Sequence, residues 1–116
     1  MATTPEGRVK NRLKVMLKKH SVWFYMPQAG AFGRAGIPDF ILIVEGRFVG
    51  VECKADRRKK PTPLQVTAMQ QIDDAGGKCF VVSDYDTQDE LERWILDARY
   101  TLSLIHISEP TRRYSI

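Results

Sequence analysis

Apolar residues near the N-terminus recur with helical spacing. Val9, Leu13, Met16 and Leu17 fall at i, i+4, i+7 and i+8, one stripe of an amphipathic helix. The stripe predicts a helix over about residues 5–19, with Thr4 as N-cap and Pro5 at the first helical position. The period then shortens. Residues 22–26 form a β-rich run ended by Pro27, and residues 27–38, with Gly30, Gly33, Gly36 and Pro38, read as a loop. Residues 40–44 are apolar on both faces, as a central strand is. Glu45 and Gly46 mark a tight turn, and residues 47–54 read as the next strand. Thr62 and Pro63 open a second helix, about 63–75, which Gly76 and Gly77 stop. A fourth strand follows at 78–82 and a third helix at 87–99, with Leu91, Trp94, Ile95 and Ala98 on one face. The order is αβββαβα, without internal repeats. Trp23, Phe24 and Trp94 are read as core rather than as base-stacking residues.

Composition narrows the class. With 116 residues, 43% hydrophobic and 28% charged, the chain is one globular domain. No apolar run approaches the ~18 residues needed to cross a bilayer, and residues 1–6 carry no secretory signal. Two cysteines, Cys53 and Cys79, fit neither a disulfide framework nor a zinc site, so a reducing cytoplasm is expected. The net charge of +4 hides an asymmetry. Residues 1–60 hold 13 basic and 5 acidic side chains, and residues 61–116 hold 5 and 9. The basic half starts on the first helix and ends in the run Arg57, Arg58, Lys59, Lys60. Such clustering suits a polyanion such as nucleic acid; a solvated helix face plus a polar loop is the other reading.

The last residues need separate treatment. Residues 102–112 resemble the translation of a transposase-based sequencing adapter. The expectation is a single domain over 1–101 followed by a non-native tail over 102–116. Read as structure, the same stretch would be an edge strand ending at Pro110. Without it, His20 is the one remaining histidine, which argues against a histidine-based mechanism.

Chemistry enters through the hairpin. If Glu45 and Gly46 are the two turn residues, Val44 pairs with Arg47 and Asp39 lies opposite Glu52. Opposed Cβ atoms stand only ~4.5–5.5 Å apart. Two carboxylates there repel unless something positive lies between them, and a divalent cation is the simplest answer. Alternation puts Lys54 on the same face as Glu52 and turns Cys53 away. A three-residue loop would move Asp39 to the other face, leaving two solvated acids at strand ends. Glu6 sits at the edge of the first helix's apolar stripe, as a cap or as a partner for the site. Gln65 lies on the buried side of the second helix, or at its rim.

Gly36-Ile37-Pro38-Asp39 and, further on, Glu52-Cys53-Lys54 resemble the PD-(D/E)xK nuclease signature. More narrowly, the chain is similar to a standalone virus-type replication-repair nuclease (VRR-NUC) domain. That family shows a glutamate on the first helix, G-x-P-D, E-x-K and a glutamine opening the next helix. Glu6, Asp39, Glu52, Lys54 and Gln65 match in order, and the resemblance covers about residues 4–98. It implies an α/β, restriction-endonuclease-like αβββαβ core with a mixed central sheet flanked by helices. It also implies a hydrolase of DNA phosphodiesters. Mg²⁺ or Mn²⁺ would be held by Asp39, Glu52 and the Cys53 backbone carbonyl, with Glu6 reaching it through water or holding a second metal. Lys54 would orient the attacking water and contact the scissile phosphate, and Gln65 would orient the lysine or the water.

Phosphate contacts are expected from Lys10, Lys14 and Lys18 on the first helix, from Arg34 in the glycine-rich loop, and from Arg57, Arg58, Lys59 and Lys60. Small standalone members of the family resemble phage proteins that act as homo-oligomers on branched DNA such as Holliday junctions, a setting of DNA repair. A catalytically inactive DNA-binding module and a restriction or defence nuclease of the same fold are the competing readings.

Overall fold

A computed structural model describes residues 3–28 and 35–107. Arg34 lies outside the described residues, as does the stretch beyond Ile107. The elements are α1 (Pro5–Lys19), β1 (Trp23–Tyr25), β2 (Phe40–Val44), β3 (Arg47–Cys53), α2 (Pro63–Asp74), β4 (Lys78–Val82) and α3 (Tyr85–Ile107). The helix starts follow capping chemistry. Thr4 accepts the Gly7 N–H ahead of Pro5. Thr62 and Gln65 form a reciprocal capping box ahead of Pro63.

Four strands form one sheet in the order β1-β2-β3-β4. β1, β2 and β3 pair antiparallel, and β3 pairs parallel with β4 through the α2 crossover, so the sheet is mixed, as expected. Glu45 and Gly46 both take positive φ, 51° and 79°, the signature of a type I′ hairpin turn. Val44 therefore faces Arg47, and the ladder runs on to Phe40 opposite Val51.

Period-two alternation sorts the strands' side chains. Phe40, Leu42, Val44, Val49, Val51 and Cys53 are buried, and they join Val9, Leu13, Met16 and Leu17 of α1 and Leu91 and Ile95 of α3 in one core. The opposite face is covered only in part. Phe48 lines a cavity there with Ala68 and Ile72 of α2, but α2 is short and lies over the β3–β4 side. Trp23, Tyr25 and Ile43 stay exposed, and Trp23, Ile43 and Phe48 stand in register across three strands. This corrects the reading of Trp23 as core and of β2 as buried on both faces. Phe24 does pack on Phe40, and Trp94 meets Phe80 edge-on.

α3 also differs from expectation. It begins at Tyr85 because Asp84 caps it, accepting the Thr87 N–H at 2.8 Å. It runs through Leu102 to Ile107, where an edge strand was the structural alternative. Residues 100–107 contain neither glycine nor proline to stop a helix. His20 Nε2 lies 2.6 Å from the accepting carboxylate oxygen Oε2 of Glu92 of α3, so the one histidine of residues 1–101 ties α1 to α3.

The segment that leads into β2 is held from two sides. Gly36 takes φ +84°, and a Cβ there would stand 2.4 Å from the Leu64 carbonyl oxygen in the first turn of α2. Pro38 lies over Gly50 of β3, where a Cβ would come within 2.8 Å of the proline ring. The two glycines let the chain approach α2 and β3 closely, and Asp39 follows directly.

Gly36→Ala therefore meets both backbone strain and a clash. We expect it to lower unfolding free energy by roughly 1–3 kcal/mol in urea titration. Gly46→Ala, with positive φ but open space around it, serves as the reference and is expected to cost less. Equal losses would mean that the approach to Leu64 is not what requires glycine at 36.

Candidate active site

The β2–β3 ladder delivers Asp39 and Glu52 to the same end of the sheet. Asp39 Oδ2 accepts the Cys53 backbone N–H at 2.8 Å, which pins its carboxylate beside Glu52 and Cys53. In a strand the N–H and C=O of one residue point to the same side, so the Cys53 carbonyl shares that edge. Glu52 is 2% exposed, and its Oε2 is buried without a hydrogen-bond partner. Burial, and then the neighbouring Asp39, push its carboxyl up to about 9. An orphaned buried oxygen beside a second carboxylate is what a cation-binding edge requires.

α1 supplies the rest of that edge. Glu6 is in its first turn, and Lys10 one turn on places Nζ 3.4 Å from Glu6 Oε2 and 3.5 Å from Asp39 Oδ1. Glu6 is thus an ion-pair partner and not the cap, a role filled by Thr4. Burial works to lower the Lys10 pKa, but the Asp39 and Glu6 carboxylates outweigh it and hold the ammonium above its ordinary value.

Lys54 donates from Nζ to Gln65 Oε1 at 2.8 Å. The same oxygen accepts the Thr62 N–H at 2.8 Å, closing the capping box. Gln65 therefore does two jobs with one atom: it starts α2 and it aims the lysine. Gln65 is half-buried, so it stands at the rim of the packed face of α2 with its side-chain oxygen turned to the lysine. The five sequence-chosen residues fall into two adjoining groups, Glu6 with Asp39 and Glu52, and Lys54 with Gln65. Lys10, expected from the sequence as a phosphate contact, is instead paired with Glu6 and Asp39, an inward turn that depends on Asp39 across the helix–sheet gap.

The residues fit a hard divalent cation of low protein coordination. Asp39, Glu52 and the Cys53 carbonyl are oxygen donors, and Mg²⁺ takes one or two carboxylates and fills its other positions with water and phosphate. Among the described residues no three His, Cys, Asp or Glu side chains gather as a metal-ligand set, so a site here relies on the backbone carbonyl and solvent. Cys53 is fully buried and its thiol pKa is driven up by burial, then by Asp39, so it is an inert core side chain. Cys79 is only half-buried, with its thiol raised by burial as well.

The basic residues divide. Arg57 is bound to Asp84 and, at 3.1 Å, to Asp86. Arg57, then the Thr87 N–H, hold the Asp84 carboxyl down at about 2. Arg58 pairs with nearby Asp56 at 3.3 Å while staying 90% exposed. No ion pair is made by Lys14, Lys18, Lys59 or Lys60 among the described residues. Within residues 3–28 and 35–107, no helix is long and apolar enough to cross a membrane.

No family model matches the chain, and no curated protein matches it. Among solved structures, one described as a VRR_NUC domain superposes with a TM-score of 0.68 at 31% identity, covering 78% of this chain and 95% of the other. That fold carries the mixed sheet flanked by helices seen here, and the sequence identity extends over nearly its whole length. The chain belongs to the VRR-NUC family and is a nuclease-type domain.

Proposed function

We propose that this domain is a Mg²⁺- or Mn²⁺-dependent endonuclease that hydrolyses DNA phosphodiester bonds in branched substrates such as a Holliday junction. One observation carries the reading: the buried, unpartnered Glu52 carboxylate oxygen beside Asp39, next to a lysine aimed by Gln65. Asp39, Glu52 and the Cys53 carbonyl would hold the cation, with Glu6 reaching it through water. When bound, that cation neutralises charge at the scissile phosphate and makes water a better nucleophile.

The chain's own groups do the positioning. Lys54 offers its ammonium to the scissile phosphate and to the attacking water. Gln65 restricts the lysine to that direction by accepting a hydrogen bond from its ammonium. Lys14, Lys18, Lys59 and Lys60, which carry no internal ion pair among the described residues, are the phosphate contacts best placed to hold DNA, together with the exposed Arg58; Arg34, outside the described residues, is retained from the sequence as a further contact. Arg57 contributes less, because it is committed to Asp84 and Asp86.

Assembly as a homo-oligomer belongs to the same proposal. The exposed sheet face of Trp23, Tyr25 and Ile43 supports a second copy as its cover. Two sites related by two-fold symmetry would account for paired cuts on opposed strands. A reducing cytoplasm, of a bacterium or a phage-infected cell, suits the free thiols of Cys53 and Cys79.

With Mg²⁺, cleavage of a four-way junction is expected to exceed cleavage of its separate linear arms. Asp39→Ala and Lys54→Met are each expected to slow it by about 100-fold or more. Variants that cut like the wild type would refute the enzyme reading and leave a DNA-binding module. Equal cutting of junction and arms would remove the branched-DNA preference alone.

Metal binding is also visible in stability. In chelator, folded Glu52 keeps its proton up to about 9 while the unfolded chain releases it near 4.5. Over that window the folded state binds more protons, so stability falls as pH rises. The thermal midpoint should drop by about 5 °C or more between roughly pH 5 and 8.5. Glu52→Gln should flatten the slope, and so should Mg²⁺. A Mg²⁺-insensitive profile would count against a cation at Glu52.

A further inference from the structure

Three lysines of α1 are spaced one turn apart, and only one of them turns to the site. Lys14 and Lys18 make no ion pair among the described residues, whereas Lys10 Nζ lies 3.4 Å from Glu6 and 3.5 Å from Asp39. The Glu6 contact is an ordinary i, i+4 helix pair. The Asp39 contact is different in kind, since it joins the helix to the lead into β2. Both side chains are largely covered, with Lys10 at 29% and Asp39 at 22% exposed. A partly desolvated pair of this sort is less screened than a surface pair.

We propose that Lys10 is the resident counter-ion of the candidate metal site, its ammonium competing with a divalent cation for Asp39 and Glu6. The proposal rests on the metal-site reading above. A lysine and a hard cation seek the same carboxylate lone pairs, so both cannot hold them fully at once. Lys10 suits a replaceable role, because its point charge sits on a flexible four-carbon stem and lacks the two-pronged grip of an arginine. Its neutralisation is also incomplete. Glu52 Oε2 keeps no hydrogen-bond partner although Lys10 stands beside Asp39. A divalent ion held by Asp39 and Glu52 would neutralise both of these acids, of which the ammonium meets only Asp39.

Competition is reciprocal, so removing the ammonium must strengthen metal binding. Mn²⁺ is titrated calorimetrically into the full chain as wild type, Lys10→Gln, Lys10→Arg and Lys14→Gln. Lys10→Gln is expected to bind about tenfold more tightly than wild type. Lys14→Gln is expected to match wild type, and Lys10→Arg to bind no more tightly than wild type. In chelator Lys10→Gln should melt below wild type, and Mn²⁺ should raise its midpoint by more than it raises that of wild type. Equal or weaker Mn²⁺ binding by Lys10→Gln, with binding by wild type intact, overturns the counter-ion role and leaves the metal site standing. Absence of Mn²⁺ binding in every variant overturns both. Should Lys10→Gln fail to fold, tighter binding by Lys10→Arg than by wild type overturns the role on its own.

Discussion

The turn at Glu45 and Gly46 admits one register for the β2–β3 hairpin, and the candidate site depends on that register. Both turn residues sit at positive φ, a geometry whose twist matches that of the flanking strands. Counting back from Val44 opposite Arg47 brings Phe40 opposite Val51 and Asp39 to Glu52. A slip of one residue would send Asp39 to the other face and dissolve the pair. The hairpin thus forces two acids together at a place where burial already disfavours charge. The structure relieves the conflict with the Cys53 N–H, with Lys10 and with a raised Glu52 pKa. Each is a substitute for positive charge.

The same principle of internal compensation reshapes the cationic surface. The basic run after β3 looks like four equivalent phosphate contacts, but Arg57 reaches back to Asp84 and Asp86 at the start of α3. A planar guanidinium with several fixed donors can engage two carboxylates at once, whereas a lysine ammonium is a hydrated point charge. Arg57 therefore staples the basic loop to the α3 cap. Lys59 and Lys60 remain outward. Sequence counting assigns all four the same sign and cannot see which have been neutralised.

Gly36 and Pro38 show why the G-x-P-D segment has the form it does. The glycine lies against the first turn of α2, and the proline lies over Gly50 of β3. Asp39 is placed by packing on both sides before its carboxylate meets the Cys53 N–H. Gln65, at the start of that same α2 turn, holds Lys54. One close approach thus couples the acid edge to the lysine.

Element order, the starts of α1 and α2, the hairpin turn and the Asp39–Glu52 confrontation were all legible in the sequence, because each depends on local rules. Helical periodicity, capping by Thr4 and Thr62, alternation along strands and turn chemistry act over a few residues. The matching of Glu6, Lys54 and Gln65 to a family pattern was legible for the same reason, since spacing carries it. What the sequence left open depends on which surfaces meet. Trp23 is apolar in a β-rich run, yet α2 does not extend over β1, so it stays exposed. Lys10 looks like its neighbours on α1, yet only the fold brings Asp39 to it. Arg57 belongs to a basic run, yet Asp84 and Asp86 arrive from a distant turn. Local propensity chose the elements; long-range packing decided which charges were left uncompensated, because Coulomb pairing depends on distance in space and not along the chain.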